Sequence, residues 1–215
     1  MYRELNFQLM LIAIFAVANN FKSLGKFLQL TQNLSRGKQL QLSRSATLAS
    51  LCVMLVALFF GDGLLHFLNV SLDSFRVAGG IVLAILGIEM IHAKSKNDDD
   101  DINNRRIPHN YSAIISTAII PIAIPLTTGA GTFSTIIIFV SAINGDTSLY
   151  WQLVAAIFVQ AFLNYLVFRY SSYLLRLLGR IGMSVLTRIV GLFTLTLGIQ
   201  FITTGLKAIF PGWGG

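Results

Sequence analysis

Six apolar stretches divide this 215-residue chain, and its basic residues gather at alternate boundaries between them. The stretches run over roughly 5–31, 46–67, 74–93, 112–141, 149–177 and 186–209. After the first, third and fifth come Arg36, Lys38 and Arg44, then Lys94, Lys96, Arg105 and Arg106, then Arg176, Arg180 and Arg188. The turns after the second and fourth, 61–75 and 142–150, hold no Lys or Arg and carry Asp62, Asp73 and Asp146. Loops rich in Lys and Arg stay on the cytoplasmic side of a bilayer, and a helix crosses it in about 20 apolar residues. The pattern predicts six membrane-spanning helices with both termini outside the cytoplasm.

Charged residues make up 12% of the chain, about half the share usual in a soluble domain. Six spans use over half the length and leave no room for a separate soluble catalytic domain. The net charge of +7 alternates with the spans instead of forming one stripe. It therefore fits orientation and contact with lipid headgroups, and no nucleic-acid partner is expected. The single cysteine, Cys52, excludes a disulfide framework and a Cys-based metal site. Leu9 to Phe15 followed by Ala16-Val17-Ala18 has the outline of a signal peptide. Glu4 offsets Arg3 there, and the retained first span is the preferred reading.

Two stretches contain residues that interrupt helices. The first carries Asn19, Asn20, Lys22, Gly25 and Lys26; the fourth carries Pro121, Pro125, Thr127, Thr128, Gly129, Ala130 and Gly131. Proline removes a backbone donor and glycine weakens helix, so helices 1 and 4 are expected to be broken. Residues 94–111 read as a polar cytoplasmic linker. Asp98 to Asp101 lie consecutively, without the alternate spacing and glycine of a calcium loop.

The two halves are related by a shift of 111 residues. Gly80, Leu86, Gly87, Ile88 and Ile91 then fall on Gly191, Leu197, Gly198, Ile199 and Ile202, and Asn19-Asn20 falls on Ala130-Gly131. With three spans per half the second copy enters from the opposite side, a plan that joins broken helices near the midplane. The expected architecture is an all-α inverted 3+3 repeat: 1–93, the linker 94–111, and 112–215.

These motifs resemble the MarC family of bacterial inner-membrane proteins. The match lies in F-R-V-A-G-G at 75–80, P-I-A-I-P-L-T-T-G-A-G at 121–131 and L-T-R-I-V-G-L at 186–192. The ending L-G-I-Q-F-I-T-T-G-L-K-A-I-F-P-G at 197–212 is similar to the YchE-like branch. The resemblance implies a six-helix bundle with a central site between helices 1 and 4, and transport of small neutral amino acids by some members. The family's first-helix Asn-Pro-x-Gly and later proline read here as Asn19, Asn20, Lys22 and Gly25, and its fourth-helix Gly-Pro-Gly reads Gly129-Ala130-Gly131.

The expected chemistry is a clamp for a small zwitterion. Backbone N–H groups around Gly129, Gly131 and Thr132 would face a carboxylate. The Asn19 amide, with unwound carbonyls near Asn19, Asn20 and Pro125, would meet an ammonium; Thr127, Thr128 and Thr132 would add polar contacts. The plain alternative is that these residues are tolerated kinks whose hydroxyls bond back to freed carbonyls. Lys22 either places a tethered ammonium in the pocket or snorkels with Lys26 to the interface, and snorkelling is the simpler account. Glu89 reads as an interfacial partner of His92 and Lys94, and Arg76 and Arg188 as residues meeting headgroups or loop carbonyls. Gln160 and Asn164 share a helical face suited to helix-to-helix bonding, and Trp151 and Trp213 read as interfacial aromatics.

An intramembrane enzyme is not expected: His66, His92 and His109 lie at or beyond span ends and no H-E-x-x-H occurs. No cofactor or metal is expected. The expected partners are membrane lipids and a small solute such as a neutral amino acid, and the residues leave the oligomeric state open. The leading reading is a secondary transporter. The alternative is a non-transporting bundle serving as partner or scaffold, favoured by the altered first-helix motif.

Overall fold

The computed structural model describes residues 6–18, 24, 27, 31, 35–92, 129–143 and 145–214. Asn19, Asn20, Lys22, Pro125, Thr127, Thr128 and the linker 94–111 lie outside the described residues. Every regular element among those described is a helix: α1 (Phe7–Val17), α2 (Arg36–Phe67), α3 (Leu72–Ile91), α4 (Ala130–Ile143), α5 (Thr147–Arg169) and α6 (Ser171–Ile209), then a short 3-10 turn over Pro211–Gly214. By length and apolar composition, α2, α3, α5 and the Ile181–Ile209 part of α6 are able to cross a membrane; α1 and α4 are apolar but shorter.

The surface of this bundle is apolar and its interior holds much of the hydrogen-bonding chemistry. Phe59, Phe60, Ile85, Phe158, Phe162, Ile189 and Phe193 point outward, whereas Ser50, Thr132, Thr135, Gln160, Asn164 and Thr194 are buried. Outward apolar side chains have no place in water at this density but sit naturally against lipid tails. Between these polar residues lies a core of Met10, Ile14, Met54, Leu83, Ile136, Ile137, Leu153 and Ile157.

Helix α2 begins at Arg36, about ten residues before the expected start of its span, so Arg36, Lys38 and Arg44 ride on helical turns and not in a loop. Arg, Lys, Gln and Leu are all good helix formers, so a charged stretch before a span extends the helix into the interface. Helix α5 correspondingly ends at Arg169, earlier than expected, and Arg176 and Arg188 belong to α6. That last helix is interrupted at Gly179, whose φ of 62° lies in the left-handed region that glycine tolerates.

Side-chain caps and one left-handed residue shape the tight turns. Asp146 caps α5 by accepting from the Ser148 and Leu149 N–H groups at 2.8 and 3.2 Å. Between α2 and α3, Asn69 takes a positive φ of 54° and Ser71 accepts from the Ser74 N–H at 3.2 Å. Such caps satisfy donors at the start of a helix and fix where the chain reverses.

Helices α3 and α6 run antiparallel in backbone contact. A Cβ added at Gly87 would stand 2.6 Å from the Leu195 nitrogen and 2.8 Å from the Gly191 carbonyl oxygen, and one at Gly205 would stand 2.7 Å from the Asp73 carbonyl. Small residues allow this approach, which replaces side-chain burial as the source of helix association in lipid. Arg76 lies at the end of this seam. It is buried against Asp73, one turn earlier, with its Nη1 at 2.5 Å from the carboxylate. Headgroups or loop carbonyls are the expected partners of Arg76; the described partner is the Asp73 carboxylate, and Gly205 packs against the Arg76 stem.

Candidate functional site

The two short apolar helices meet end to end. At Gly131, in the first turn of α4, an added Cβ would stand 2.9 Å from Cγ1 of Val17, the last residue of α1, and 2.8 Å from Leu83 Cδ2 of α3. Of the expected site residues, Gly129, Gly131 and Thr132 are therefore brought to the end of α1. The others lie outside the described residues.

Each helix end carries polar groups that a continuous helix would have used internally. At the end of α1 the Ala18 N–H donates to the Ile14 carbonyl at 2.9 Å. The Ala16 carbonyl instead accepts from the Thr194 hydroxyl of α6, 3.0 Å away. In α4 the first intrahelical bond runs from the Phe133 N–H to the Gly129 carbonyl at 3.2 Å. By position the N–H groups of Ala130, Gly131 and Thr132 precede it. Thr135 donates its hydroxyl to the Gly131 carbonyl at 2.8 Å. Thr132 is wholly buried, and among the described residues its Oγ1 has no hydrogen-bond partner.

Helix α5 supplies a second polar group at the same depth. It runs parallel to the first stretch of chain, as two contacts define. The Phe7 N–H donates to Gln152 Oε1 at 2.8 Å, and the Phe27 and Phe168 rings lie 4.8 Å apart. From Phe7 to Ala18 the helix rises about 17 Å, and from Gln152 to Asn164 about 18 Å, at 1.5 Å per residue. Asn164 therefore lies level with the end of α1. Its Nδ2 donates to Ser50 Oγ of α2 at 3.3 Å, and its Oδ1 accepts from Gln160 Nε2 at 3.4 Å. All three side chains are buried, and Gln160 Oε1 has no partner.

The helix-to-helix bonding expected of Gln160 and Asn164 is thus present, with Ser50 as the partner on α2. Sequence reading missed Ser50 and Thr194. Ser43 and Ser50, two helical turns apart and both buried, carried a signal for the first. Thr194 sits in an apolar run with nothing to distinguish it from Thr196.

Among the described buried polar residues, Arg76 alone is charged, and Asp73 neutralises it. The groups near the α1 and α4 ends are amides, hydroxyls and backbone dipoles. Among the described residues, such a set binds by hydrogen bonding.

Comparison with known proteins agrees with the architecture. Residues 5–210 match the family described as MarC family integral membrane protein. The UPF0056 membrane protein YhcE of Escherichia coli strain K12 is 32% identical, over 94% of this chain and 92% of its own length. The UPF0056 membrane protein BU267 of Buchnera aphidicola subsp. Acyrthosiphon pisum is 30% identical over the same shares. A UPF0056 membrane protein of Buchnera aphidicola subsp. Schizaphis graminum is 30% identical over 93% of this chain and 90% of its own. No solved structure matches. A family match across nearly the whole sequence, joined to an apolar-faced helical bundle, places this chain in the MarC family of integral membrane proteins.

Proposed function

We propose that the chain is a secondary transporter of small neutral amino acids or similar solutes, working by alternating access in a bacterial inner membrane. The observation that carries this reading is the meeting of α1 and α4 at Val17 and Gly131, beside the buried, unpartnered Thr132 hydroxyl. A buried hydroxyl without a partner costs about 1–3 kcal/mol, and a solute group arriving there offsets that cost. The N–H groups opening α4 suit a carboxylate. Carbonyls past the end of α1, with Asn19, suit an ammonium, and Asn20, Lys22, Pro125, Thr127 and Thr128 complete the proposed lining.

The proposed mechanism is rocking of one three-helix half against the other, with both termini on the outer face. The glycine seam supports the underlying inverted repeat. Exchange of each residue with its equivalent 111 positions away turns the Gly80–Gly198 approach into Gly191–Gly87, and both occur. The same exchange turns Gly87–Leu195 into Gly198–Ala84, and Gly191–Ile91 into Gly80–Ile202; all four occur, each at 2.6–3.2 Å from a backbone nitrogen. A twofold axis in the membrane plane produces such pairs of contacts.

Proteoliposomes containing the purified protein, tested with labelled glycine, alanine, serine and threonine under proton and sodium gradients, decide the matter. Uptake, exchange or efflux of at least one supports transport. A folded preparation that moves none of them favours the non-transporting bundle.

A further inference from the structure

A cavity apart from the α1–α4 junction opens where α2 begins and α5 ends. Its volume is about 640 Å³, and Arg36, Gln39, Arg169, Ser172, Tyr173 and Arg176 are among its walls. Three guanidiniums face one space, and among the described residues no carboxylate lines it. Nor does any of the three form an ion pair among the described residues, where the pairs are His66–Asp62 and Arg76–Asp73.

Arg169 is held in place by neutral neighbours. Arg169 Nη1 donates to the Tyr165 hydroxyl at 3.0 Å, and its guanidinium carbon lies 5.9 Å from the centres of the Tyr165 and Tyr170 rings. Gln39, also on the wall, donates to the Thr31 carbonyl at 2.8 Å. Ser35, which precedes α2, makes no side-chain capping bond, so the positive end of that helix adds to the same field. Three convergent cations that no described carboxylate neutralises call for an anion, and the forked geometry of arginine suits phosphate oxygens.

The surroundings identify the source of that phosphate. The cavity lies at an end of the spanning helices, and its far wall is the short arm of α6 before Gly179. On and just past that arm Tyr173, Leu177 and Ile181 are 64%, 67% and 83% exposed. Basic residues beside outward apolar ones on a short helix describe a segment lying in the headgroup layer. A ligand here presents phosphate to the arginines and hydrocarbon to Leu177 and Ile181.

We propose that this cavity is a binding site for an anionic phospholipid, which seats its phosphodiester headgroup between Arg36, Arg169 and Arg176. Basic clefts between spanning helices are suited to such headgroups, and three arginines match a two-phosphate headgroup better than a single one. This site is separate from the solute path proposed above and stands whether or not transport is found.

The test uses the full chain in phosphatidylcholine nanodiscs, titrated with cardiolipin and, separately, with phosphatidylethanolamine. Bound lipid is read by native mass spectrometry and the unfolding midpoint by thermal denaturation. The expected result is retention of cardiolipin with a raised midpoint, and neither with phosphatidylethanolamine. The R36Q/R169Q/R176Q variant is expected to lose at least tenfold in apparent affinity. R188Q, on α6 but outside the cavity, is expected to bind as wild type. Equal losses in R188Q and the triple variant overturn the site in favour of diffuse surface charge. Displacement of cardiolipin by inorganic phosphate overturns the lipid assignment in favour of a soluble anion. If the triple variant does not fold, R169Q and R176Q are read singly, each expected to weaken binding threefold or more; wild-type binding by both overturns the proposal.

Discussion

Gly80 and Gly198 stand so close that a Cβ added to the first would lie 2.6 Å from the second's carbonyl oxygen, and one added to Gly198 would lie 2.7 Å from that of Gly80. Backbone meets backbone here, so no flexible side chain is available to give way. Gly80→Ala therefore forces α3 and α6 apart, at a cost of about 1–3 kcal/mol by the measure of overpacked cores. Gly191→Ala, its equivalent in the second half, is expected to cost a similar amount. Gly63→Ala, with open space around it, is expected to leave the unfolding midpoint in detergent unchanged or higher. A Gly80→Ala protein as stable as wild type contradicts the close seam.

The Asn164–Ser50 bond ties α5 to α2 across the interior. Asn164→Leu is expected to lower stability by about 0.6–1.7 kcal/mol, the range for side-chain hydrogen bonds between membrane helices. Ser50→Ala should lose less than the sum when combined with it, since the two changes remove one interaction. Additive losses in a double-mutant cycle would mean the pair does not interact.

Gln160 separates stability from solute binding. Among the described residues its Oε1 is buried without a partner, whereas its Nε2 donates a long bond to Asn164. In Gln160→Met, of similar volume, the cost relieved and the bond lost nearly offset, and the unfolding midpoint is expected to change little. If the solute path reaches α5, the same variant weakens solute binding several-fold in equilibrium dialysis. Loss of stability without change in binding assigns Gln160 to the scaffold alone.

Orientation is open to a direct measurement. In a Cys52→Ser background, single cysteines at Asp73 and at Arg176 are labelled in intact cells with a membrane-impermeant maleimide. The charge asymmetry predicts labelling at position 73 and protection at 176 until the membrane is opened. The reverse pattern inverts the topology.

Much of this fold was legible in the chain because its strongest local signals coincide with its tertiary contacts. The glycines at 80, 87, 191 and 198 stood out by their common offset, and they are the points where backbones touch. Asp146 and Asp73 lie at helix starts, where carboxylates are favoured by the dipole. The ends of helices were harder to read. Charge marks where a span leaves lipid but not where helix stops, so Arg36 to Arg44 looked like a loop and became the first turns of α2. The partners inside the bundle were hidden for another reason. Period and spacing put Gln160 and Asn164 on one face, but only packing decides that Ser50 meets them, and that Thr194 meets the end of α1. The residues expected to break helices 1 and 4 lie mostly outside those described, and Gly129, Gly131 and Thr132 stand for them at the junction.

The Thr194 hydroxyl lies 3.0 Å from the Ala16 carbonyl and 2.9 Å from that of Val190 in its own helix. One proton thus has two equivalent resting places. Were the tip of α1 to part from α6 here, the Val190 carbonyl alone would keep the donor bonded. The contact between first and last helix therefore carries no penalty of an orphaned hydroxyl proton.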